Sequence, residues 1–422
     1  MTHQKENQIT GRGRGGGVGQ AKNLMIEYQE RGYGASDALV CYECVGDYYL
    51  KEYISDRGSQ ATCDYCGMSR KKCIGLEDLM NPIMDGILSE YEDATGCMGW
   101  DGREGGFLGA ETWDSWDLVH DELWDEIGAE SSTLLADIAD LINSGITWCY
   151  RDPYSLREDD EQYFTWKSFC EQLKNDVRYV FFMAPPCEDD YNGKHYRPSD
   201  ILEKIGESIS DLNLVTTLPE NERFYRGRMH NQSEHVGDAR TLGPPPDKAR
   251  SGRMNPEGIS VFYAALDEMT ALKEIYNGRK SQATIGTFYN LRKLNVIDIS
   301  GIPSTPLPSL FDIEKKAERT SLLFLKKFTD EITSHVNDDD MLAYIPTQVV
   351  AEYFRHVFRT DNGRQKIDGI IYPSSINKGG KCIVLFYDST HCSDDKDKIL
   401  WLDKSSLRHI ETSSIKLEVV EK

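Results

Sequence analysis

The stretch GRMNPEGISVFYAALDEMTALKEIY, residues 252–276, runs through a turn, a strand and a helix in quick succession. Gly252-Arg253-Met254-Asn255-Pro256-Glu257-Gly258 has the glycine and proline spacing of a shaped turn. Val261-Phe262-Tyr263 reads as the end of a strand, and Asp267–Tyr276 as a helix bearing Glu274. The turn can aim Arg253 at an anion, because a guanidinium is planar, permanently charged and matches phosphate with parallel donors. Tyr263 offers a stacking face. A carboxylate at Glu274 can stabilise a developing positive charge or orient a nucleophile. Taken singly, each residue also has a plain explanation: a solvated arginine, a core tyrosine, an exposed helix glutamate.

Two further segments belong with this one. Phe224-Tyr225-Arg226-Gly227-Arg228 is polar and cationic at the end of an apparent strand. Asp368-Gly369-Ile370-Ile371-Tyr372-Pro373-Ser374-Ser375 is followed by Gly379-Gly380 and the strand CIVLFYD, residues 382–388. Strand-like runs at 223–229, 260–266, 283–290, 295–299, 369–373 and 382–387 alternate with helical stretches at 267–276, 310–328 and 346–358. The expectation is a mixed α/β (α+β) domain over residues 205–415.

The combination G-R-M-N-P-x-G, F-Y, A-L-x-E and D-G-I-I-Y-P-S-S, in this order, resembles the RES family, named for Arg, Glu and Ser. The run Ala343-Tyr344-Ile345-Pro346-Thr347-Gln348, continuing to Ala351-Glu352, is similar to that family's pattern ahead of its serine motif. The resemblance covers residues 220–390. It implies an ADP-ribosyltransferase-like fold and an NAD-consuming toxin of a toxin–antitoxin pair. It also implies roles for Arg253, Tyr263, Glu274 and Ser374 as catalytic residues. NAD binding would then fall to Arg226, Arg253, Tyr263, Ser374 and Ser375. Met254 stands where the family usually has an aromatic residue.

The N-terminal half is organised differently. Residues 1–22 are Gly-rich and polar and read as a disordered tail. Residues 23–74 contain Cys41-Tyr-Glu-Cys44 and Cys63-Asp-Tyr-Cys66, a C-x2-C pair repeated after eighteen residues. This is the ligand spacing of a closed tetrahedral zinc site, with Gly67 easing the turn after Cys66 and Cys73 a buried bystander. Such a site is structural, having no open coordination position. Residues 75–185 read as helical, at 75–94, 131–145 and 161–182, with Phe164, Phe169, Leu173, Val177 and Val180 as the apolar face of the last. Between them lies an acidic, Trp-rich stretch, residues 97–126, a candidate contact surface. Residues 186–204 form a linker rich in Pro, Gly and charge.

A four-cysteine cluster followed by a helical region is similar to the HEPN-like segment found fused to RES domains. HEPN nucleases carry R-x4–6-H on a late helix, and residues 75–200 have no such pair. Arg223 with His230 and Arg228 with His235 satisfy the spacing, but they begin on a strand-like run.

The formal net charge of −22 repels phosphate backbones, so nucleic acid is not an expected partner. No run of eighteen apolar residues is present, and residues 1–20 lack an apolar signal core, so a cytoplasmic protein is expected. The leading expectation is an NAD-consuming toxin or antiphage defence effector that cleaves the nicotinamide–ribose bond. Water, inorganic phosphate or a macromolecule would be the acceptor. The alternatives are a non-enzymatic zinc-bearing sensor and a HEPN-type ribonuclease. An antitoxin or activating partner, and a homodimer, complete the expectations.

Overall fold

The computed structural model describes Tyr28 and residues 31–411, apart from 104, 186, 189–194, 246–248, 277–279, 335–341 and 361–364. The tail expected over residues 1–22 lies outside the described residues. The chain forms two compact units. One contains the described residues up to Ser155 together with Ser309–Lys316, and the other contains Leu156–Pro308 and the described residues from Ala317 onward.

In the first unit, β1 (Leu39–Cys41), α1 (Tyr48–Arg57), β2 (Ser59–Ala61) and β3 (Lys71–Gly75) come first. The three strands form an antiparallel sheet in the order β1-β3-β2. Helix α2 (Leu76–Glu90) buries Leu76, Leu79, Met80, Ile83, Met84 and Ile87, the three- and four-residue steps of one helix face. β4 (Tyr91–Asp93), α3 (Ser132–Leu141) and β5 (Trp148–Tyr150) follow, with β4 and β5 antiparallel. Cys41, Cys44, Cys63 and Cys73 share one apolar cluster with Leu76, Ile83, Leu134 and Ile138. The cysteine segment and the first helices, read from the sequence as separate modules, therefore have a common core. The Trp-rich stretch forms a small hairpin, Trp100–Asp101 with Gly106–Phe107. A helical run from Ser115 to Ile127 then contains a π-type turn at Leu118–Glu122.

Residues 310–328 were expected as one helix, but the α-helix begins only at Lys316. Phe311 is 1% exposed and packs in the core of the first unit. Its amide is held by the Ser309 Oγ at 3.1 Å, and the Ser309 amide by the Tyr48 hydroxyl at 3.3 Å, so the chain turns here instead of coiling.

In the second unit, α4 (Glu158–Asn175) buries Trp166, Phe169, Cys170 and Leu173. The sequence had grouped this helix with the N-terminal ones and placed Phe164 and Val180 on its apolar face. Both are about half exposed, and the helix ends before Val177. Helix α5 (Ile201–Asp211) leads into a nine-stranded sheet. Its strands are β6 (Val215–Leu218), β7 (Arg223–His230), β8 (Phe262–Ala265), β9 (Gln282–Asn290), β10 (Leu294–Asp298), β11 (Gly369–Pro373), β12 (Lys381–Leu385), β13 (Cys392–Ser393) and β14 (Leu400–Glu411). The spatial order is β6-β10-β11-β12-β8-β7-β9-β14-β13, antiparallel except for β10–β11 and β13–β14. Helices α6 (Glu268–Ile275), α7 (Lys316–Thr333) and α8 (Ile345–His356) complete the unit, a mixed α/β architecture.

Side-chain alternation gives the sheet two faces. One carries Tyr263, Val384, Ile370 and Tyr372 and packs with apolar residues of α4, α5, α7 and α8. The other carries Phe224, Phe262, Ile371 and Ile383 and packs with Leu242, Tyr387 and Leu400. No helix among the described residues is long and apolar enough to cross a membrane.

Phe311→Ala removes a fully buried ring from the first unit, and the expected cost is about 3–5 kcal/mol. Equilibrium denaturation of the full chain, followed by tryptophan fluorescence, measures it. An unchanged midpoint would show that Ser309–Lys316 is not part of that core.

Candidate functional site

The site begins with a hydrogen-bonded turn. Asn255, 4% exposed, donates through Nδ2 to the carbonyls of Arg250, Pro256 and Ile259 at 2.8–3.1 Å. Its Oδ1 accepts the Tyr263 hydroxyl at 2.9 Å, and that hydroxyl accepts the Met254 amide at 2.8 Å. The residue two places after Arg253 is therefore the knot of the turn, and Tyr263 ties it to β8. Gln348 Nε2, on α8, donates to the Ser251 hydroxyl and the Gly252 carbonyl, each at 2.8 Å, and the Thr347 hydroxyl donates to the Arg253 carbonyl. The Ala343–Gln348 run, singled out in the sequence, thus acts as the bracket for the turn. Met254 is 3% exposed and points into the core.

On this platform the Arg253 guanidinium lies 5.4 Å from the centre of the Tyr344 ring. It donates to the carbonyls of Ile332 and, at 3.0 Å, Ser334, just where α7 ends. A cation there satisfies carbonyls that lack helical partners. Among the described residues two of its five N–H groups are engaged in this way.

The second half of the site joins two distant parts of the chain. Ser374 Oγ donates to Glu274 Oε1 at 2.6 Å. The same Oγ accepts the amides of Asn377 at 2.9 Å and Ile376 at 3.2 Å, so its lone pairs are occupied and its proton is directed at the carboxylate. Asn377 clamps this turn onto α6: its Nδ2 donates to the Thr270 hydroxyl at 2.7 Å, and its Oδ1 accepts Lys273 Nζ at 3.0 Å. A Cβ at Gly380 would stand 2.2 Å from the Thr270 hydroxyl, so only glycine permits this approach. Glu274 itself is exposed, and so is Ser375, the residue after Ser374.

Beneath the carboxylate lies Cys382, 3% exposed, whose Sγ is 3.4 Å from Glu274 Oε1. Burial, then the Glu274 charge, holds its thiol well above the ordinary range, so it is a neutral donor. Tyr372 pairs with Cys382 across β11–β12. Burial first, then Cys382, Tyr263 and Glu274, raises its hydroxyl far above the usual value, while Arg253 opposes the shift. Tyr372 thus shares one electrostatic neighbourhood with Arg253, Tyr263 and Glu274. From the sequence alone Tyr372 is an ordinary strand residue. Its place in the D-G-I-I-Y-P-S-S motif, two residues before Ser374, was the available signal.

Arg226 is not brought to this place. It shares a side of β7 with Phe224, and its guanidinium lies 5.2 Å from the centre of the Phe262 ring, on the opposite face of the sheet. It donates to the carbonyls of Leu242 at 2.7 Å, Gly243 at 3.2 Å and Tyr263. Burial lowers it to about 10, so it stays protonated at neutral pH. Asp368, which opens the serine motif, is likewise held in the framework. It accepts from Arg292 Nη2 at 2.8 Å, the Asn295 amide at 2.9 Å and the Tyr387 hydroxyl.

The RES domain family model matches residues 224–404, and the model for HEPN/RES N-terminal domain 1 matches residues 56–186. The chain carries a RES domain behind a HEPN/RES N-terminal domain. No curated protein and no solved structure matches it. The RES match begins at the strand holding Arg226 and takes in Arg253, Tyr263, Glu274 and Ser374. The two R-x6-H pairs start on β7 of the RES domain. His230 is 2% exposed and bonded to Thr284 Oγ1 at 2.8 Å, a core histidine.

In the N-terminal unit the four ligand candidates converge. The Sγ atoms of Cys41 and Cys44 are 3.6 Å apart, Cys44 and Cys63 3.6 Å, and Cys41 and Cys66 3.7 Å, and all four lie within 4.8 Å of one another. A tetrahedron with metal–sulfur bonds of about 2.3 Å has edges of about 3.8 Å, so the quartet fits zinc. Burial would raise the Cys63 thiol, but the amides of Cys66, Tyr65 and Cys41 outweigh it and bring it down to about 7. Gly67 takes φ +69° in this knuckle, with open space around it, so the backbone conformation is what calls for glycine. Cys73 lies in the core, where burial pushes its thiol up to about 11.

Tyr263→Phe leaves the buried Asn255 carbonyl oxygen and the Met254 amide without their shared partner. A loss of about 1–3 kcal/mol in unfolding free energy is expected. Hydrogen exchange should also quicken at residues 252–258. An unchanged exchange rate there would remove the tyrosine from its role in the turn.

Proposed function

We propose that this RES domain breaks the nicotinamide–ribose bond of NAD, and that the chain acts as a toxin or defence effector. A RES domain points to an NAD-related, toxin-like activity, and we assign its sheet and helices to the ADP-ribosyltransferase-like fold. The observation that carries the reading is the Ser374–Glu274 contact, 2.6 Å between residues a hundred positions apart. It fixes one oxygen of an otherwise exposed carboxylate, and in this reading the other oxygen faces the substrate.

Nicotinamide leaves NAD as a neutral ring, so departure needs little acid catalysis. What it needs is a negative charge beside the ribose as that sugar acquires oxocarbenium character. Glu274 supplies that charge, and Ser374 holds it in one orientation at no cost during the reaction. Arg253 clamps the pyrophosphate with the N–H groups left over from its two carbonyls. Tyr263 walls the nicotinamide, and Ser374 and Ser375 border the nucleotide. Arg226 acts as a positioning residue, holding the Leu242–Gly243 carbonyls and the strand behind Tyr263. Water, phosphate or a macromolecular hydroxyl or amine can capture the same electrophile, giving hydrolysis, phosphorolysis or ADP-ribosylation.

A single zinc ion in the Cys41–Cys44–Cys63–Cys66 site is structural in this reading, tying β1 to the knuckle at Cys63–Gly67. An antitoxin or activator would restrain such an enzyme in trans. The ribonuclease alternative has no support in the placement of its residues, since the spaced Arg–His pairs start on a strand.

With NAD supplied, wild type should release nicotinamide, seen by chromatography. Glu274→Ala should lower the rate about 10²–10³-fold, the scale of losing an electrostatic stabiliser. Ser374→Ala should fall between the two. Full activity in Glu274→Ala would overturn the assignment. No nicotinamide from a folded wild type, with phosphate and protein acceptors present, would favour the non-enzymatic sensor.

Purified protein should hold one zinc per chain by elemental analysis. Strong chelation or Cys63→Ser should release it and lower the unfolding temperature. Metal-free protein with unaltered unfolding would refute the structural site.

A further inference from the structure

Two cysteines outside the quartet meet in the N-terminal unit. Cys97 ends a one-turn helix, Ala94–Cys97, and Cys149 lies in the middle of β5, opposite Glu92 of β4. Their Sγ atoms are 3.4 Å apart. A disulfide needs about 2.05 Å, so the sulfurs must close by about 1.4 Å. The surroundings allow this on one side only. Cys149 is fully buried with Ala94 and Met98, whereas Cys97 is half-buried, and a side chain added at Gly96 or Gly99 close by would meet nothing within 4 Å. Among the described residues no other group of metal-ligating side chains converges here, so the pair is not part of a second metal site.

We propose that Cys97 and Cys149 form a reversible dithiol–disulfide site in the N-terminal unit, with a low-molecular-weight disulfide such as oxidised glutathione as the oxidant. The half-buried Cys97 thiolate attacks one glutathione sulfur, forming a mixed disulfide and expelling the first glutathione thiolate. Cys149 then attacks the Cys97 sulfur, which closes the internal disulfide and expels the second. The two cysteines lose two electrons and two protons, and the two glutathione thiolates take up both protons. The order follows from access. Burial, followed by the neighbouring Cys97 and the acidic Glu92 and Asp93, pushes the Cys149 thiol up to about 12, so its thiolate is scarce and the more accessible Cys97 meets the oxidant first. The bond would fasten β5 to the chain entering the Trp100–Phe107 hairpin.

The full chain, purified with zinc, is treated with oxidised glutathione, its remaining thiols are blocked, and it is digested for mass spectrometry. The expected product is a peptide pair linked through Cys97 and Cys149, restored to free thiols by dithiothreitol. The oxidised protein should also unfold at a higher temperature than the reduced one. Cys149→Ser should trap glutathione on Cys97, and Cys97→Ser should leave Cys149 unmodified. Absence of the linked pair, its replacement by pairs within the zinc quartet, or glutathione on Cys149 in Cys97→Ser would each overturn the proposal. The result does not depend on NAD turnover, so it stands or falls separately from the catalytic reading.

Discussion

The register of β12 against its two neighbours decides which face of the sheet carries Tyr263, Tyr372 and Cys382. β12 pairs with β11 on one side and β8 on the other, so Tyr372, Cys382 and Ala265 form one row and Ile370, Val384 and Tyr263 another. All six point to the same face. A slip by one residue would turn Tyr263 and Tyr372 to the opposite face, and the site would vanish. The register is pinned from both sides by burial: Val384 and Ile370 belong to one apolar cluster, and Ile383 and Ile371 to the other. Strand pairing of this kind is stabilised by two cores at once.

Around that row, polar residues do work that their types do not announce. Asn255 turns the 250–259 segment into a rigid knot, and Thr347 and Gln348 fasten it to α8. Asn377 and Gly380 do the same for the serine turn against α6. Buried hydrogen-bonded networks of this sort have one satisfied arrangement, so they fix geometry more sharply than apolar packing does. The Glu274 carboxylate inherits this rigidity through Ser374 while staying open to solvent. The two arginines show the same economy. Each spends N–H donors on backbone carbonyls of the framework, Arg226 on one face of the sheet and Arg253 at the end of α7.

The N-terminal unit depends on a different constraint. Among the described residues the cysteine knuckles share one apolar cluster with α2, α3 and Phe311. The sequence showed the quartet clearly, because C-x2-C spacing is local chemistry. It did not show that the segment shares its core with the helices, nor that α4 would pack with the RES side. Phe164 and Trp166 are both plausible on an apolar face, and only the packing of Trp166 against Phe328, at 5.0 Å between ring centres, selects the second. Strand β14 was equally hidden. Its run LWLDKSSLRHIE, interrupted by polar residues, crosses a bulge opposite Ile285 and Thr287 and lacks strict alternation.

By itself the sequence determined the chemistry-bearing residue types, the quartet's spacing, the mixed α/β character of the C-terminal part and the order of the RES motifs. These are read from patterns within a few residues, where turn geometry and side-chain period act directly. Tertiary structure alone decided which of those residues meet. It brought Ser374 to Glu274 and Cys382 beneath them, revealed Tyr372 in the same neighbourhood, and turned Arg226 to the other face. Those outcomes follow from strand order and register, which depend on the burial of both sheet faces together and are written in no single segment.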